Sequence, residues 1–188
     1  KALPDEFDVA GICDLSPTLA RIMAADYQVP FHTNDYRELL KINLDAVLLC
    51  HSDPKTEVAV AAFQAGLNVF IEKPMCYSLR DADTIINAAR ASKTVGMVAY
   101  MKVYDPAYEL AQKEAASMDT IRFIQVNHLH PNNELHLRNF RLKRFYDLPS
   151  GPEMQGANSA AIEEAIGAVP ADVKHAFQLI AGSMIHDI

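Results

Sequence analysis

Two spacings of apolar residues alternate along the first hundred positions. Short apolar runs at 7–13, around 29–32, and at 46–50, 69–71 and 95–99 predict strands. The run at 46–50 is unbroken, as expected for a strand covered on both faces. Between them, apolar residues recur three and four apart, the spacing that gives a helix one buried stripe. Ser16 with Pro17 behind it predicts a capped helix whose apolar face is Ala20, Met23, Ala24 and Tyr27. A helix is expected over 35–41. Another starts near Pro54 with Asp53 as its cap, packs through Val58, Ala61, Ala62 and Ala65, and ends at Gly66, where a left-handed residue is wanted. Ser78 opens a further helix, with Asp81 at its positive end and Ala82, Ile85, Ile86 and Ala89 as its stripe.

Strand and helix alternating with such short connections imply right-handed crossovers and a doubly wound parallel sheet. The pattern changes near residue 119. The stretch 121–130 is longer, more polar and more alternating, and predicts a strand of an open antiparallel sheet. Residues 131–158 are polar and irregular. Pro170 is expected to open a last helix packed through Val173, Phe177, Ile180 and Met184. The expected fold class is therefore α/β, a partial Rossmann-type unit at 1–118, followed at 119–188 by the start of an α+β domain.

Composition narrows the partners. The 188 residues carry a net charge of −7 and no basic run, which argues against a nucleic-acid surface. No apolar stretch approaches membrane-spanning length. Cys13, Cys50 and Cys76 are an odd, widely spaced set, expected to be free thiols in a reducing, cytoplasmic setting. His128, His130 and His136 form no compact ligand set with carboxylates, so no metal is expected. Arg138, Arg141, Lys143 and Arg144 read as a solvated basic face.

The most informative stretch is Glu72-Lys73-Pro74, directly after the run 69–71. In open α/β sheets ligands bind beyond the carboxyl ends of the strands. The proline restricts the turn, so Lys73 is held on a stiff corner at that edge. The segment 61–74, with helix, Gly66, strand and Glu-Lys-Pro in order, resembles the Gfo/Idh/MocA family of NAD(P)-dependent oxidoreductases. The resemblance implies that Lys73 contacts both cofactor and substrate, with Glu72 beside it. It also implies that the first strand and the Gly-rich phosphate loop belong before residue 1. No Gly-x-Gly-x-x-Gly occurs in the chain, and an internal fragment of a longer protein is expected.

Further candidates follow from the same resemblance. Asp14 ends the strand before Ser16. An acidic residue there can accept from ribose hydroxyls and repel a 2′-phosphate, which favours NAD without excluding NADP; the competing reading is a helix-flanking Asp. His51 and Ser52 stand where the family's nicotinamide-side turn lies, and Lys55 takes the place of its usual His. Lys102, in the segment 100–107, resembles a domain-crossing contact. His186 resembles the family's proton-exchanging His, and an unperturbed imidazole titrates near neutrality. Gly182 stands where many members have Asp.

The expected function is hydride transfer between nicotinamide and a hydroxyl-bearing carbon of a sugar, polyol or related small molecule. Lys73 and His186 are the candidate catalytic residues; Asp14, His51, Ser52, Glu72, Lys73 and Lys102 are the candidate cofactor contacts. A homo-oligomer is expected from the resemblance. The alternative is a non-catalytic dinucleotide-binding or dimerising module. A reductase acting on an imine or a linear tetrapyrrole is a further alternative.

Overall fold

The structure is a computed structural model that describes residues 5–51, 54–125, 134–138, 140, 142, 143, 145, 147, 148 and 152–184. The described elements run β1 (Gly11–Cys13), α1 (Pro17–Tyr27), β2 (Phe31–Thr33), α2 (Tyr36–Leu39), β3 (Ala46–Leu49), α3 (Thr56–Gln64), β4 (Asn68–Ile71), α4 (Leu79–Ser92) and β5 (Gly96–Val98). A 3-10 turn (Met101–Tyr104), α5 (Pro106–Ala116), α6 (Glu134–Leu137), α7 (Pro152–Ile166), α8 (Ala171–Leu179) and a π-helical turn (Ile180–Met184) follow. Every described strand pairing is parallel. β1 pairs with β2, and β3, β4 and β5 form a second ladder in that order.

The core lies on one face of the β3–β4–β5 ladder. Val47 and Leu49 of β3 and Val69 and Ile71 of β4 alternate inward, and Ala59, Ala62 and Phe63 of α3 with Ile85 of α4 cover them. Phe63 reaches β5 so closely that a Cβ on Gly96 would lie 2.9 Å from its ring. The other face is more open. Leu48 is 64% exposed, so the expected two-sided cover of β3 is not seen among the described residues. The register places Leu48, Phe70 and Met97 in one row across that face.

Local signals hold well. The Ser16 hydroxyl accepts from the Leu19 amide at 3.0 Å, and Ser78 from Asp81 at 3.1 Å. Asp105 caps α5 ahead of Pro106, and Gly66 takes a φ of 78° just past α3.

Element ends and stripes needed correction. β1 is three residues long rather than seven, because its partner β2 supplies only three to pair with. α2 occupies Tyr36–Leu39, with Asp35 as its cap, rather than 35–41. α3 starts at Thr56 with Lys55 in the capping position, so Pro54 is not its first residue; Asp53 lies outside the described residues. That start places Ala59 and Phe63 inside and leaves Ala65 exposed. Tyr27 and Ile86 are exposed, at the margins of their stripes. Residues 121–125 form no strand and are exposed: a strand needs a ladder partner, and none is present among the described residues. Residues 126–133 lie outside them, as do Arg141 and Arg144. Pro170 does open α8, as its cap. Val173 and Ile180 are exposed, while Phe177 meets Tyr77 with ring centroids 6.3 Å apart.

Candidate functional site

Parallel pairing brings the chemistry to one edge. Asp14 leaves the carboxyl end of β1, Cys50 and His51 that of β3, Glu72 and Lys73 that of β4, and Tyr100 and Lys102 follow β5. The Glu72 amide donates to the Leu49 carbonyl at 2.9 Å, so the β3–β4 ladder continues to the residue before Lys73. The turn behind it is tight: Lys73-Pro74 is a cis peptide, and Ser78 opens α4 four residues on.

Two lysines bracket that turn. Lys73 Nζ donates to the Gly182 carbonyl at 2.9 Å, across 109 residues of sequence. Gly182 sits in the π-helical turn, and a Cβ there would meet nothing within 4 Å. Lys55 lies on the inner side. It is only 2% exposed, and its ammonium donates to the Pro74 carbonyl at 3.0 Å. A buried cation is tolerated only where polar groups receive it, and the Pro74 carbonyl is one of them. Lys55 thus fastens the start of α3 to the corner that carries Lys73.

The electrostatics agree with this clustering. Burial pushes the Cys50 thiol up, the Glu72 charge adds to that, and the Lys55 ammonium opposes it. Cys76 is raised by burial first and then by Asp81, against the Ser78 backbone hydrogen bond and Lys55. Cys13 is raised by burial and then by Asp14 and Asp35. All three cysteines are free thiols.

Asp14 is placed by an Asx-type turn, its Oδ1 accepting from the Ser16 amide at 2.8 Å. Its own amide donates to the Thr33 carbonyl at 3.2 Å, tying the ends of β1 and β2 together. His51 and Lys102 are exposed at the same edge. Ser52 and His186 lie outside the described residues, so the edge assembles Asp14, His51, Glu72, Lys73 and Lys102 of the expected set.

Two residues escaped the sequence. Lys55 is not a surface residue at a helix start but a buried cation; its only signal was its place where the resembling family has His. Asp147 reaches the first turn of α1 from the irregular segment and had no signal. Among the described residues, no group of three His, Cys, Asp or Glu side chains could hold a metal, and no helix is long and apolar enough to cross a membrane.

The parallel strands, the acidic residue closing β1 and the Glu-Lys-Pro corner closing β4 define a dinucleotide-binding α/β domain. The family described as "Oxidoreductase family, NAD-binding Rossmann fold" (GFO_IDH_MocA) matches residues 1–100, and the chain belongs to it. The fold of that family is an NAD-binding one.

The chain is 31% identical over 131 residues to inositol 2-dehydrogenase/D-chiro-inositol 3-dehydrogenase of Shouchella clausii, covering 67% of this chain and 38% of that protein. It is 29% identical over 119 residues to myo-inositol 2-dehydrogenase of Thermotoga maritima, covering 62% and 35%. The chain therefore spans little more than a third of the length of these relatives. Among solved structures, levoglucosan dehydrogenase in complex with NADH and levoglucosan superposes with a TM-score of 0.54 at 25% identity, over 61% of this chain and 34% of that one.

Proposed function

We propose that the protein is an NAD-dependent dehydrogenase that oxidises a secondary hydroxyl of a polyol or cyclic sugar. The observation that carries this reading is Lys73, held on a fastened corner at the strand edge that also presents Asp14. The inositol and levoglucosan dehydrogenases among the similar proteins support the polyol or sugar class. NAD, when bound, supplies the hydride acceptor.

The chain's own residues do the rest. Asp14 accepts from the adenosine ribose hydroxyls and disfavours a 2′-phosphate, which selects NAD over NADP. His51, Ser52, Glu72 and Lys102 line the cofactor along the edge. Lys73 donates to the substrate oxygen and holds the charge that develops there as the C–H bond breaks. Its present bond to the Gly182 carbonyl gives a measure of what it exchanges for substrate: one neutral acceptor at hydrogen-bond distance. His186 takes the hydroxyl proton.

Residues from 119 onward begin a substrate and association domain in this reading, and the protein is a cytoplasmic homo-oligomer. The test is NADH formation by the full-length protein across a panel of inositols, other polyols and cyclic sugars. Turnover confined to members of that panel is expected. NADH binding with no turnover on any of them would replace this reading with a non-catalytic dinucleotide-binding module.

A further inference from the structure

The first turn of α1 is closed by a carboxylate from far along the chain. The Ser16 hydroxyl, which caps the helix, donates to one oxygen of Asp147, and the Thr18 amide donates to the other at 3.0 Å. Asp147 follows Ser16 by 131 residues. Lys143, just before it, pairs with Asp26 in the last turn of the same helix. The segment is thus tied to both ends of α1. It lays its carboxylate where the helix dipole and the free amides of a first turn favour an anion. The Ser16 and Thr18 hydrogen bonds hold the Asp147 carboxyl down at about 2.

Asp14 stands on the other side of Ser16, its Oδ1 accepting from the Ser16 amide at 2.8 Å. Two carboxylates therefore flank one serine at the carboxyl end of β1. Beside them opens a cleft of about 400 Å³, lined in part by Thr18, Arg21, His32 and Thr33.

We propose that Asp147 is a cofactor-specificity residue: its carboxylate fills the anion position at the start of α1 that a ribose 2′-phosphate would otherwise take. The proposal rests on the reading of the protein as dinucleotide-dependent. In dinucleotide-binding folds an acidic residue such as Asp14 bonds the ribose 2′-hydroxyl, and a nearby Arg accommodates a 2′-phosphate. α1 is capped by Ser16, two residues after Asp14, and carries Arg21. The Ser16 hydroxyl, the Thr18 amide and the Arg21 guanidinium are a donor set suited to phosphate. With Asp147 in place, the first two donors are committed and the position carries negative charge twice over. A 2′-hydroxyl is neutral and needs only Asp14. The carboxylate therefore penalises NADPH and leaves NADH almost untouched, which is specificity by repulsion rather than by added attraction.

Fluorescence titration of the full-length protein with NADH and NADPH tests this, alongside Asp147→Asn and Asp147→Ala. Asn keeps the shape and an acceptor but loses the charge; Ala also releases both donors. NADPH affinity is expected to rise about tenfold in the Asn variant, the scale of one charge-assisted hydrogen bond, and further in the Ala variant. NADH affinity is expected to stay within about twofold. Adding Arg21→Ala to Asp147→Ala should cancel most of the gain. A purely structural Asp147 would move both affinities together. An NADPH to NADH ratio unchanged in both variants overturns the proposal, and so does a parent protein that prefers NADPH. A parent that binds neither dinucleotide overturns the functional reading and this proposal with it.

Discussion

Lys73 and Lys55 act on the two sides of one proline, and their environments separate their roles. Lys73 is half-buried at the edge, and its ammonium donates to the Gly182 carbonyl. Lys55 is inside, and its bond to the Pro74 carbonyl belongs to the frame. The thiols around them report the same environment. Cys13, Cys50 and Cys76 are all raised above the ordinary thiol value, burial being the largest cause in each. A raised thiol is mostly protonated near neutrality, and only the thiolate reacts. Alkylation by iodoacetamide, followed by mass spectrometry at each cysteine, should be slower near neutral pH than for a free cysteine peptide. The rate should level off at a higher pH than the peptide's does. A plateau at or below the pH of the peptide's own at any of the three would contradict the surroundings described for it.

The residue-level features legible in the sequence are the local ones. Ser16 and Ser78 cap helices through bonds to amides three residues on, and Lys73 follows its strand directly. No window of sequence could place Asp147 on α1, because the contact spans 131 positions and joins two segments with no shared pattern.

At the scale of elements, α3 is the piece on which the site depends. Its stripe is Ala59, Ala62 and Phe63, and it packs at once on α4 and on the sheet that carries the Lys73 corner. The alanines let the helix come close; Phe63 fills the remaining space up to Gly96. Phe63→Ala should cost about 3–5 kcal/mol, the range for emptying a buried aromatic site, measured by urea unfolding. Phe63→Leu, which keeps most of the volume, should lose much less. Equal losses would mean that the cavity is not what destabilises the first variant. Of the stripe expected from the sequence, Ala62 is fully buried and Val58 packs against the core, while Ala65 is exposed, because helical periodicity gives a face only once the start is known. Here the start follows Lys55, whose side chain reaches inward to Pro74 instead of capping. Strand ends were misread for a related reason: β1 stops where β2 stops, and pairing partners are not a property of either segment alone.

For the whole molecule, order and direction were legible, and contacts between distant parts were not. Five parallel strands with helices between them follow from the alternation of two apolar periods. The separation of the sheet into β1–β2 and β3–β4–β5 does not, nor does the exposure of Leu48 on the outer face. What the architecture accomplishes is convergence. Because the strands run the same way, an acidic residue after one and a lysine after another, far apart in sequence, share one edge, the edge at which open α/β sheets bind ligands. The proposed dehydrogenase activity requires Lys73 to act at that edge on the reacting oxygen rather than to support the fold. The most direct measurement is turnover of the full-length Lys73→Ala variant on its best polyol substrate, with NADH affinity and thermal unfolding followed beside it. A fall in kcat of about two to three orders of magnitude is expected, the scale of losing one donor to a developing oxyanion, with the unfolding temperature unchanged. Turnover close to that of the parent would contradict that role.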